Sequence, residues 1–89
     1  MAERENRYAS FREKLEIEYT WPSAYTFKFI VPQGNEEKVR ELFPESEVLE
    51  KKSSKGNYTS LTARVMAESS DAIIEVYVRA QHIEGLIAL

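Results

Sequence analysis

The chain has 89 residues, 12 Lys plus Arg against 15 Asp plus Glu, a formal net charge of −3, 43% hydrophobic residues and no cysteine. That length suits one domain with a thin core, burying roughly 60–65% of the unfolded surface. Without cysteine there are no disulfides, thiolate nucleophiles or zinc–thiolate sites, and the lone His82 leaves any metal short of nitrogen ligands.

The acidic balance argues against a nucleic-acid partner, because phosphate neutralisation needs a basic surplus. No run approaches 18 consecutive apolar residues, so no membrane span is expected. The opening "MAERENRYASF" mixes charges of both signs without an apolar segment and does not read as a signal peptide, so a cytoplasmic location is the expectation.

Tyr8, Phe11, Leu15 and Tyr19 recur at spacings of three and four, one stripe of an amphipathic helix over about residues 5–18. Thr20-Trp21-Pro22 ends it, since the residues before a proline are pushed away from helical backbone. Residues 25–31, "YTFKFIV", put Tyr25, Phe27, Phe29 and Val31 on one face of a strand, with Thr26, Lys28 and Ile30 on the other. "PQGN" breaks it. Asn35 is expected to cap a short helix carrying Val39, Leu42 and Phe43, which Pro44 terminates. Residues 46–52 read as an edge strand of mixed charge.

Thr59, Leu61, Ala63, Val65 and Ala67 then alternate with Tyr58, Ser60, Thr62, Arg64 and Met66, the pattern of a second long strand. Ser69 or Ser70 is expected to cap a helix whose buried stripe is Ile73, Val76, Tyr77 and Ala80. "EGLIAL" closes the chain as a short apolar strand. The order is a helix followed by strand–helix–strand–strand–helix–strand. It predicts an α+β, ferredoxin-like βαββαβ domain over residues 1–89, with the core at about 24–89. Its four-stranded antiparallel sheet has two helices on one face. The other face, carrying Ile30, Tyr58 and Met66, is left for the N-terminal helix, a second copy or water.

The stretch between the middle strands, Ser53-Ser54-Lys55-Gly56-Asn57-Tyr58, admits three uses. Small polar residues and a glycine able to take positive φ suit a hairpin turn. Backbone amides near Gly56, the Ser53 and Ser54 hydroxyls and Lys51, Lys52 and Lys55 could hold a small anion, although the spacing matches no phosphate-binding loop. An RNA-reading strand begins with a similar basic–glycine–aromatic run, but Asn57 and Thr59 stand where stacking aromatics belong.

The run "SSKGNY" before an alternating strand, with "WPSAYTFKFI" and "IIEVYVRAQHI", resembles the YbeD-like family of small bacterial proteins of uncharacterised function across most of residues 15–89. That resemblance implies a ferredoxin-like fold similar in shape to the ACT-type regulatory domains, which bind small effectors at dimer interfaces. The chain departs from the family pattern in a shorter first core helix and in the "QHIEG" connection to the last strand.

No carboxylate pair is marked as sharing an apolar pocket, and His82 at a helix end reads as a dipole-capping residue. The expectation is therefore a non-catalytic regulatory or protein-interaction module without cofactor or metal. Ser53, Ser54, Lys55, Gly56, Asn57, Tyr58 and Arg64 are its candidate contacts for a protein partner or a second copy. The alternative is an ACT-like sensor of a small anionic metabolite.

Overall fold

The computed structural model describes the backbone of residues 2–89 and the side chains of residues 8–89. Helix α1 (Ala2–Glu18) precedes strand β1 (Ser23–Pro32), helix α2 (Glu36–Arg40), strands β2 (Val48–Lys52) and β3 (Tyr58–Ala67), helix α3 (Ser70–Ala80) and strand β4 (Ile87–Ala88). The four strands form one sheet in the order β2-β3-β1-β4, and every neighbouring pair is antiparallel. With its helices in the predicted places, this is the ferredoxin-like arrangement.

Period-two alternation in β1 and β3 sends one face of each strand inward. Phe27, Phe29, Val31, Thr59, Leu61 and Ala63 are all at most 1% exposed. The long β1–β3 register pairs Phe29 with Leu61 and Phe27 with Ala63, so their side chains meet on the same side of the sheet. Val39 of α2 and Ile73 of α3 cover that side and are themselves fully buried. Each such aliphatic or aromatic side chain contributes about 1.5–3 kcal/mol by leaving water. An aromatic cluster fills the space between them: Phe27 lies 5.2 Å from both Phe43 and Tyr77, and Phe29 lies 5.8 Å from Tyr77. The Tyr77 hydroxyl is satisfied by that of Tyr25 at 3.1 Å. Burial, and then that hydrogen bond, push the Tyr77 phenol far above its usual pKa.

Helix α1 uses its predicted stripe: Leu15 is buried, and Tyr8, Phe11 and Tyr19 pack partly buried against the core. It docks on α3, away from the open sheet face. Phe11 meets Tyr77 edge to face at 5.6 Å, Arg12 pairs with Asp71 at 2.6 Å, and Gln81 donates to the Tyr8 hydroxyl. Trp21 stacks on Tyr19 and donates to a Glu16 carboxylate oxygen at 3.3 Å, a half-buried plug at the joint of α1 and β1.

Three details differ from the sequence reading. Asn35 does not cap α2 with its side chain; its φ of −103° and ψ of 8° lack the extended cap geometry, and its Nδ2 donates to Glu84 O across the sheet end at 2.9 Å. Helix α2 ends at Arg40, after which the tighter bonds Leu42 N to Val39 O and Phe43 N to Arg40 O carry the chain to Pro44. Strand β2 begins at Val48 rather than residue 46. The cap of α3 is Ser69, whose Oγ accepts from Ala72 N at 3.2 Å. Its buried side includes Ile74 in addition to Ile73 and Ala80, because α1 packs on that flank.

Candidate functional site

The 53–58 stretch is a hairpin turn. Ser53 N donates to Tyr58 O at 2.9 Å and Gly56 N to Ser53 O at 3.0 Å, closing the β2–β3 connection. Gly56 sits at φ +77°, a left-handed conformation that costs a residue with a Cβ about 1–2 kcal/mol. The Ser53 hydroxyl accepts from Tyr58 N at 3.3 Å, so that oxygen is committed to the turn. Asn57 O accepts from Gln33 N, tying the hairpin to the end of β1.

Behind the turn, the pair Thr59–Glu36 fixes the start of α2 to β3. Thr59 Oγ1, fully buried, donates to one Glu36 carboxylate oxygen at 2.7 Å, while Gly34 N donates to the other at 2.8 Å. These bonds stabilise the carboxylate and hold the Glu36 pKa below its ordinary value, Thr59 contributing most.

On the uncovered side of the sheet lies a shallow cleft of about 440 Å³. Ile30, Ile87 and Tyr58 form its apolar part, and Lys51, Ser53, Ser54 and Ser60 lie among its polar walls. The sheet register builds it: Lys51 lies opposite Ser60, Ser60 opposite Ile30, and Ile30 opposite Ile87, one row crossing all four strands. The next row carries Leu49, Thr62 and Lys28. Leu49, Met66 and Ile87 are 62%, 67% and 53% exposed, unusual for side chains of that size sharing one face.

Of the residues singled out from sequence, Ser53, Ser54 and Tyr58 line this cleft. Lys55, Gly56 and Asn57 are exposed at the turn itself. Arg64 is exposed on the same sheet face but six residues along β3 from Tyr58, about 20 Å at strand rise, so the structure does not bring it to the turn. Lys51 and Lys52, considered from sequence only as contacts for a small anion, also line the cleft, whereas Ser60 and Ile87 were not singled out. The outward parity of Ser60 was readable, whereas the pairing of Ile87 with Ile30 across β1 has no local signature.

Among the described residues no three or more His, Asp or Glu groups are placed to hold a metal ion. Likewise, none of the helices described is long and apolar enough to cross a membrane.

Fold and site together define a ferredoxin-like α+β domain with one face of its sheet uncovered. The chain belongs to DUF493, a protein family of unknown function, whose sequence profile matches residues 14–88. The matched span takes in the last five residues of α1 and nearly all of the α/β core. No curated protein and no solved structure matches the chain.

Proposed function

We propose that the protein is a non-catalytic interaction module that docks a protein partner on the open face of its sheet, within the cytoplasm. One observation carries the reading. Leu49, Ile87 and Tyr58 are exposed around the half-buried Ile30 on that face, with Met66 exposed further along β3, while α1 packs against α3 instead of covering it. A face of this kind is a cost in water unless another surface removes it. The hairpin at 53–58 forms the rim, with its Ser54 and Lys55 side chains available for polar contacts.

A photo-crosslinking residue placed at position 62, in the centre of the open face, tests this in living cells against one at position 14 on α1. Protein adducts are expected from position 62 alone, and an adduct of two chains would identify the partner as a second copy. Adducts from position 14 with none from 62 would refute the docking face.

A second reading, a sensor of small anionic metabolites, is favoured by the cleft itself. Its volume of about 440 Å³ lies within the range of small-molecule sites, and Lys51, Lys52, Ser53 and Ser54 border it. A metabolite present at 100 times its Kd would stabilise the fold by about 2.7 kcal/mol, which a thermal-shift screen of carboxylates and phosphates would register. Flat melting temperatures across that screen remove this reading.

A further inference from the structure

We infer that the partner received by the open face is an acidic protein segment. An aliphatic side chain of that segment seats between Ile30, Tyr58 and Ile87, and its carboxylates meet Lys51 and Lys28. The inference rests on the docking-face reading and adds the chemistry of the occupant.

The charge of the face differs from that of the molecule. The chain carries more acidic than basic residues, 15 against 12. Yet the outward strand positions hold Lys28 on β1, Lys51 on β2 and Arg64 on β3, with no Asp or Glu side chain among them. The nearest acidic side chain on that side is Glu47, exposed just before β2, where the register carried one step on sets it opposite Arg64 at the end remote from the cleft; Glu50 faces inward and pairs with Arg40. A cleft flanked by Lys28 and Lys51, with no acidic side chain at the strand positions around it, attracts an acidic partner and orients it on an otherwise acidic protein.

The register sets what such a partner must present. Neighbouring strands lie about 4.8 Å apart, so the Lys51–Ser60–Ile30–Ile87 row spans roughly 14 Å. Lys28 stands one same-face step along β1 from Ile30, about 6.7 Å. An aliphatic group over Ile30 and Ile87 therefore has a lysine on two sides, each within reach of a carboxylate a few residues away.

Other occupants fit less well. A two-fold pairing of this face with itself gathers Lys28, Lys51 and Arg64 of both copies into one interface, a crowding of like charge that an acidic segment does not meet. A single-stranded nucleic acid needs successive stacking platforms, and Tyr58, at the rim beside Pro32, is the face's lone aromatic among the described strand positions. The centre of the face is aliphatic, which suits a protein side chain better than a base.

The test pans a phage-displayed library of random 12-residue peptides on the full chain, then measures the enriched peptides as synthetic probes by fluorescence anisotropy. Amide chemical-shift mapping locates where they bind. Enriched peptides are expected to carry two or more Asp or Glu flanking Leu, Ile or Val, and to shift β1, β3 and β4 amides. Lys28→Glu and Lys51→Glu should each weaken binding at least fivefold, while Lys14→Glu on α1 changes it less than twofold. If Lys28→Glu fails to fold, Lys28→Ala reads the same contact, and Kd of the unaltered protein should rise at least tenfold between 50 and 300 mM NaCl.

Enriched peptides without an acidic excess, or binding indifferent to Lys28 and Lys51, overturn the inference. If their shifts still fall on the sheet, the docking face stands; if they fall on the helices, it falls too. A dT12 oligonucleotide that binds the sheet more tightly than any selected peptide also overturns the acidic segment, in favour of nucleic acid. A library that enriches nothing overturns it as well.

Discussion

Replacing Gly85 by alanine should release β4 and dismantle the cleft while leaving the rest of the core in place. Gly85 sits at φ +79°, and a Cβ built on it would stand 2.6 Å from Pro32 Cγ and 2.9 Å from Pro32 Cδ. The left-handed torsion costs about 1–2 kcal/mol. Forcing the methyl against a ring at the end of β1 adds about 1–3 kcal/mol. The chain has another route, because β4 is two residues long. Its attachment amounts to the short ladder between Ile30 and Ile87, the bond from Leu89 N to Lys28 O and partial burial of Leu86. At about 1 kcal/mol for each net hydrogen bond and a similar gain from the apolar contact, that attachment is worth about 3 kcal/mol.

The strained closed form and the detached form are therefore comparable in energy, and the expected loss is about 2–3 kcal/mol. For a domain of this size that lowers Tm by roughly 10–20 °C. Gly56→Ala is the control. It has nearly the same torsion, φ +77°, and the same gain from a stiffer unfolded chain, but its Cβ meets only Gln33 Nε2 at 3.9 Å. Thermal melts of the two variants, with amide exchange at Leu89, separate clash from torsion. A Gly85→Ala protein that melts within 2 °C of Gly56→Ala, with Leu89 still protected, would refute the account of how β4 is held.

Two further outcomes are expected. Glu36 has a folded pKa below its unfolded value, so its contribution to stability is complete above the unfolded carboxylate range and is lost as pH falls through the folded pKa. Glu36→Gln should therefore flatten the acid side of a Tm-against-pH profile between about pH 5 and 2, and an unchanged profile would show that the Thr59–Glu36 bond does not favour the charged form. Ser69→Ala should cost about 1 kcal/mol by removing the bond from Ala72 N, and Ser69→Asp should restore most of it; equal denaturant midpoints for all three proteins would contradict the cap.

Much of the architecture was legible because its signals are local. Phe27, Phe29 and Val31 against Thr26, Lys28 and Ile30 state a two-faced strand within seven residues, and Leu61, Ala63 and Val65 repeat the statement. The Ser53–Asn57 turn then fixes β2 beside β3. What escaped were consequences of contacts between distant segments. Asn35 has the composition of a helix cap, but its Nδ2 is anchored on the Glu84 carbonyl and its backbone lacks the extended cap geometry, so its side chain makes no cap bond. Ile74 lies off the stripe expected of α3 because that stripe assumed one neighbour, and α1 supplies a second. The site divides the same way. Ser53, Ser54 and Tyr58 were visible as a turn, whereas the cleft beside them exists only once β4 places Ile87 next to Ile30.

Trp21 is the sole tryptophan in the chain, and it rests on Tyr19 with its indole nitrogen directed at Glu16. Its emission therefore reports the seam where the leading helix joins the sheet, and far-ultraviolet dichroism reports the backbone as a whole. Superimposable fluorescence and dichroism transitions would mark that helix as part of a single cooperative unit, whereas an earlier fluorescence change would mark it as a separately melting flap.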